Sequence, residues 1–209
     1  MSFAVEDAVA KSCEALFNSS SGMAADVIDG DKLINSFELD IDNQGRALYA
    51  LGQPVAVDLR LTTMVLKANT DLERMGDHAV NIAEKALYVM KEKNIEIDPQ
   101  IEEMARITQT MLRSAMDSFI KEDVQLAKSV LKCDDEVDSY NENLYHDLSS
   151  LMEADPSRIS AGVNLLMISH NLERIADLAC NIAEDVIYWK QGREIRHGIG
   201  LAEDLKDES

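Results

Sequence analysis

Apolar residues along this chain recur every three or four positions and not every second one. Leu72, Met75, Ala79, Ile82, Ala83 and Ala86 show the spacing clearly. On a helix turning about 100° per residue they fall in one arc about 100° wide, the width of a core-facing stripe. The pattern therefore predicts helices and no strands. Breaks between the periodic stretches fix six helices, over roughly 3–18, 22–52, 54–93, 98–120, 122–153 and 155–192.

The breaks have local causes. Pro54, Pro99 and Pro156 follow Gln53, Asp98 and Asp155. Asp-Pro reads as a helix cap followed by proline in the first turn, where the missing N–H costs nothing. Asn18 to Gly22 reads as a turn, and a matching break falls near Lys121-Glu122-Asp123. The tail after Gly192 contains Gly198 and Gly200, ends in polar residues and is expected to be frayed.

The six helices form two sets of three. Residues Leu72 to Glu84 recur as Leu172 to Glu184, identical at nine of thirteen positions and 100 residues apart. Further back, Ala24, Val27, Asp31 and Asn35 fall on Ala127, Val130, Asp134 and Asp138 at an offset of 103. A shorter turn before the last helix absorbs the difference. The expected fold is all-α, with two tandem, homologous three-helix bundles. The first repeat spans 1–95, the second 96–192, and a flexible tail covers 193–209.

Composition narrows the function. The 209 residues carry 20 Lys and Arg against 39 Asp and Glu, a net charge of −19. Such a surface repels phosphate backbones and anionic headgroups, which argues against nucleic-acid binding and polybasic membrane docking. No apolar run approaches the roughly 20 residues of a membrane span, and no signal segment opens the chain. Three cysteines, Cys13, Cys133 and Cys180, cannot form a disulfide framework and suit a reducing cytosol. A cytoplasmic protein is expected.

A second arc is polar. Glu73, Asp77, Asn81 and Glu84 lie nearly opposite the apolar stripe, and Glu173, Asp177, Asn181 and Glu184 repeat them. The second helix of each repeat adds a pair at i, i+4: Asp31 with Asn35, and Asp134 with Asp138. A solvated face is the ordinary explanation for any one such pair. Like charges one turn apart cost roughly 0.2–0.5 kcal/mol unless something neutralises them. A merely solvated face also has no need to repeat the same oxygen-bearing positions in both copies. Oxygen donors one turn apart suit hard cations such as Mg²⁺, Mn²⁺ or Fe³⁺. On this arrangement the sites lie at the surface, away from the core. Arg74 and Arg174 are expected to pair with Asp58 or with a stripe carboxylate and orient it. His78 has Leu178 as its counterpart and is a poor ligand candidate.

A search for catalytic machinery finds no Gly-rich phosphate loop, no Gly-x-Ser-x-Gly, no Cys-x-x-Cys and no His-Glu-x-x-His. The Glu-x-x-His pairs of a ferritin-like di-iron centre are missing too. No catalytic residue is assigned, and a non-enzyme is expected.

Several segments together resemble the PhoU family. They are Val27 to Asn35, Gln53 to Arg60, Glu73-Arg74-Met75-Gly76-Asp77, Asp134 to Asp138, Glu173-Arg174-Ile175-Ala176-Asp177 and Tyr188 to His197. The similarity covers almost the whole chain, in order and with the duplication. It implies two similar bundles related by a pseudo-twofold axis. It implies metal bound by acidic motifs, at positions that match Asp31, Glu73 and Asp77, and Asp134, Asp138, Glu173 and Asp177. Iron is one possible metal, with magnesium, manganese or zinc the others. It also implies a homodimer and two partners, the ATPase subunit of the phosphate ABC transporter and a phosphate-sensing histidine kinase. The implied role is a cytoplasmic negative regulator of the phosphate-starvation response.

The chain departs from the family pattern in three ways. Ala176 replaces the usual glycine of the second motif. Asn35 stands where the second copy has Asp138. The first helix is short of a few turns, which would shorten one edge of the first bundle. The competing classes are an accessory protein of a low-affinity phosphate permease, a metal-dependent phosphohydrolase and a metal-buffering protein. The charge is also lopsided: residues 1–95 hold 15 acids and 9 bases, residues 96–209 hold 24 and 11. If only one half retains metal, the second is expected to be that half.

Overall fold

A computed structural model describes residues 1–52, 55, 57–92 and 96–192. All regular structure among them is helical. Helix α1 is Ser2–Phe17, with Val5, Val9, Cys13 and Leu16 buried along one stripe. Ser20 caps α2, Ser21–Ala47, accepting from the Met23 N–H at 3.4 Å. α2 runs into a single π-helical turn, Leu48–Gly52, and α3 follows as Val57–Val89. Pro54, the expected start of α3, lies outside the described residues, as does the tail 193–209.

The second repeat starts with α4, Pro99–Lys121. As expected, Asp98 caps it, accepting from Gln100 N–H at 2.9 Å with proline in the first turn. Glu122 ends α4 in the left-handed region at φ 57°. Asp123 then caps α5, Val124–Leu131. Helix α6 is Asp134–Ala154. Asp155 accepts from Ser157 N–H at 3.0 Å over a 3-10 turn, Pro156–Arg158, and α7 is Ile159–Gln191. Gly192 closes α7 at φ 70°, a conformation that favours glycine.

One expected helix is two. The stretch 122–153 breaks at Lys132–Cys133, while its counterpart in the first repeat runs unbroken through α2. The break places Asp134, Asp135 and Glu136 in the first turn of α6. Negative charge in a first turn is favoured by the positive end of the helix dipole, an end that a continuous helix would not have there.

α3 and α7 form the centre. α1 and α2 pack on α3, while α4, α5 and α6 pack on α7, and the two central helices pack on each other. Lys67 pairs with Asp185 and His78 with Asn171, so α3 and α7 run antiparallel, as a twofold axis perpendicular to them gives. Met75, Ile82, Leu172, Ile175 and Ile182 are buried along them. Burying each contributes up to about 1.5–3 kcal/mol. The central place of α3 and α7 decides the environment of the acid arcs. The face opposite each apolar stripe is bordered by α2 in one repeat and by α6 in the other.

Candidate functional site

The acids therefore occupy seams between helices and not an open surface. Asp31, Asn35 and Glu73 are half-buried, and so are Asp134, Glu173 and Asp177. Asp77 and Asp138 are exposed at the outer edges. The surface placement read from the helical arc holds for Asp77 and Asp138 and is corrected for the half-buried acids. One helix's periodicity gives an angle but not what packs against it.

In the first repeat, α2 brings Asp31 and Asn35 to the α3 residues Glu73 and Asp77. Burial raises the carboxyl pKa of Glu73, and Asp77, Glu38 and Asp31 push the same way against Arg74. Burial likewise raises Asp77, with Asp31 adding to it. Asn35 Nδ2 donates to Asp31 Oδ2 at 2.7 Å, which leaves Asp31 Oδ1 and Asn35 Oδ1 enclosed without a hydrogen-bond partner. Glu38 belongs to this group but was missing from the sequence reading. Its position seven residues after Asp31, two turns along the same face, was the available signal.

The second repeat assembles the same constellation from α6 and α7. Burial raises Asp134, Asp138 and Glu173. Asp177 repels all three, and Asp138 repels Asp134 and Glu173. Here a carboxylate, Asp138, stands where Asn35 supplies an amide donor in the first repeat. Asp134 Oδ1 is enclosed without a hydrogen bond. Arg174 reaches Asp177 Oδ2 at 3.1 Å and Glu173 Oε2 at 3.7 Å, so it orients the cluster. Arg74 instead faces Asp71 at 4.0 Å and not Asp58. His170 Nδ1 stands 3.1 Å from Glu173 Oε2.

The two asparagines of the arcs differ. Asn181 is exposed and borders a cavity of about 1170 Å³ between the repeats, together with Asp134 and Asp177. Asn81 lies one turn beyond Asp77 on α3, and no hydrogen bond joins it to the first cluster among the described residues. Cys180 borders the same cavity; burial and Asp134 hold its thiol far above the usual range. Burial pushes Cys13 up to about 11. Both stay protonated thiols at neutral pH, so neither is a ready thiolate ligand or nucleophile. His78 Nδ1 donates to Asn171 Oδ1 at 2.8 Å across the repeat interface, a structural role.

The donor chemistry fits hard cations. Each cluster offers carboxylate oxygens that repel one another, and Asp31 and Asp134 each hold an enclosed oxygen with nothing donating to it. Among the described residues, no three His, Cys, Asp or Glu side chains already converge as a closed metal cage. The acids stand apart, as like charges do, and a cation would draw them together.

The fold and site define a class: duplicated helical-bundle proteins with a carboxylate seam in each copy. The family profile for the PhoU domain matches residues 1–86 and again 101–186. The chain belongs to the PhoU family. It is 38% identical over 193 residues to a phosphate-specific transport system accessory protein PhoU homolog of Aquifex aeolicus, covering 92% of this chain and 87% of that one. The crystal structure of PhoU from Pseudomonas aeruginosa superposes with a TM-score of 0.90 at 36% identity, over 92% of this chain and 93% of that one. The phosphate transport system regulatory protein PhoU from Streptococcus pneumoniae does so with a TM-score of 0.86 at 30% identity, over 92% and 91%. Among the described residues no helix is long and apolar enough to cross a membrane.

Proposed function

We propose that this protein is an accessory regulator of phosphate uptake and phosphate-responsive signalling, acting in the cytoplasm and without enzymatic activity. The supporting observation is family membership in both repeats, shared with relatives named as phosphate-specific transport accessory proteins. In this reading the dimeric protein bridges the ATPase subunit of the phosphate ABC transporter and a phosphate-sensing histidine kinase. It holds the starvation response down when phosphate is plentiful. The two carboxylate seams bind cations, iron or else magnesium, manganese or zinc. Asp31, Glu73 and Asp77 hold them in one seam, and Asp134, Asp138, Glu173 and Asp177 in the other. A bound cation supplies positive charge that cancels the seam's repulsion and fixes α2 on α3, or α6 on α7. No step of bond breaking is assigned to it.

The test is affinity capture of the tagged protein from phosphate-replete cells, with immunodetection of the ATPase subunit and the kinase. Recovery of both supports the bridge; recovery of neither overturns it. Elemental analysis of the purified protein, with Glu73→Ala and Glu173→Ala for comparison, tests the cations separately. Turnover of a phosphate ester only in the presence of metal would overturn the non-enzymatic assignment.

A further inference from the structure

The duplication provides an internal comparison outside the acid seams. In the first repeat Asp42, Thr63, Lys67 and Thr70 line the cavity between the repeats. At the repeat offsets their counterparts are Tyr145, Val163, Met167 and His170. These four line a separate groove of about 790 Å³ between α6 and the N-terminal half of α7.

Both sets are largely exposed, so the second repeat presents larger or more apolar residues where the first presents Thr63, Lys67 and Thr70. Tyr145 is 60% exposed, Val163 44% and Met167 43%. Leu166 lies half-buried in the same groove. A contiguous exposed apolar strip on a monomer marks a contact surface.

The rim indicates what it contacts. Asp138, Glu142 and Glu173 border the groove. An anionic membrane surface or another strongly acidic surface would meet repulsion there. The groove spans Val163 to Glu173 on α7, eleven residues and about 15 Å. That length holds about three turns of a helix lying between two others.

We propose that the α6–α7 groove docks an amphipathic helix of a partner protein. Its apolar residues would sit on Tyr145, Val163 and Met167, and its Lys or Arg flank would face Asp138, Glu142 and Glu173. The groove shares its rim with the second acid seam but does not depend on cation binding.

The test uses the full chain in chelator, so that its result is independent of the cation reading. The probe is a fluorescent helical peptide of about four turns, with leucines on one face and lysines and arginines beside them. A second peptide carries glutamates in place of the basic residues. The variant Tyr145→Asp/Val163→Thr/Met167→Lys installs the first-repeat residues at exposed positions, and a circular-dichroism melt checks its fold. Phe3→Asp, on α1 and 81% exposed, serves as the remote control. The basic peptide is expected to bind the wild-type protein and Phe3→Asp equally. The triple variant should bind it at least about tenfold more weakly, and the acidic peptide should not bind. Absence of saturable binding, or equal binding to the triple variant, overturns the proposal. Conversion of a dimer to a monomer by the triple variant in sedimentation also overturns it, because the groove is then occupied by a second copy.

Discussion

Lys67 of α3 reaches Asp185 of α7 at 3.3 Å, across the repeat interface and 118 residues along the chain. The Asp185 side chain is only 6% exposed, whereas that of Lys67 is 42% exposed. The pseudo-twofold axis maps this pair onto Met167 and Lys85, so its counterpart is not an ion pair. Lys67→Met would remove the cation and leave an enclosed carboxylate with less compensation. Loss of roughly 1–3 kcal/mol is expected, read from urea denaturation. The mirror change, Met167→Lys, removes no such partner and should shift stability by less than about 0.5 kcal/mol.

The seams predict an unusual pH dependence. Glu73, Asp77, Asp134, Asp138 and Glu173 all have folded pKa values above their ordinary 3.8 or 4.5, first through burial and then through neighbouring carboxylates. The folded state therefore holds protons more tightly than the unfolded state. The resulting stabilisation is fully present below the ordinary values and is lost as pH rises through the raised ones. The metal-free protein should melt higher as pH falls from neutral towards the ordinary carboxyl values. A cation that binds the seams should raise Tm at pH 7 and flatten this slope. Calorimetric scans with chelator and with Mn²⁺ check both.

Neutral substitutions should separate repulsion from ligation. Asp134→Asn removes one of the mutually repelling acids while keeping its shape. In chelator it is expected to stabilise the protein by a few tenths of a kcal/mol up to about 1 kcal/mol. Under added cation the same variant should lose the metal-induced rise in Tm. Asp31→Asn should show the same signs with smaller amplitude, because the Asn35 amide donates to Asp31, whereas Asp134 has only the weaker thiol donor of Cys180 and is repelled by Asp138. Partial dialysis followed by elemental analysis should find the last retained metal lost in Glu173→Ala and kept in Glu73→Ala.

The sequence revealed much of this because helical faces repeat and caps are local. The Leu72–Glu84 duplication and the Asp98-Pro99 start needed only neighbours in the chain. The break at Lys132–Cys133 was hidden because no Gly or Pro marks it, and the gain is electrostatic, in the first turn of α6. The burial of the seams was hidden because the arc of α3 does not say that α2 borders it. Lys67–Asp185 and His78–Asn171 join residues 118 and 93 apart, beyond the reach of any periodic pattern. The grouping of Asp31 with Glu73 and Asp77 is what the PhoU resemblance implies and not what one helix's pattern shows; in the structure Asp31 acts on both carboxyls.

Gly76 and Ile34 give the final prediction. A Cβ on Gly76 would meet Ile34 Cδ1 at 3.1 Å and Cγ2 at 3.2 Å, and would stand 3.6 Å from Asp31 Oδ1. The counterparts in the second repeat are Ala176 and Val137, both fully buried. The larger residue at one position accompanies the smaller at the other, so the pair conserves volume between the copies. Gly76→Ala removes a helix penalty of about 0.8–1 kcal/mol but crowds Ile34 and the wall of the first acid seam. Ile34→Val alone leaves a gap costing about 0.5–1.5 kcal/mol. The double variant rebuilds the second-repeat pairing and should be more stable than the sum of the single changes, by about 0.5 kcal/mol or more. A double-mutant cycle by urea denaturation, in chelator, measures this coupling. Additive single changes would mean that Ile34 moves aside freely and that the glycine does not set the spacing between α2 and α3.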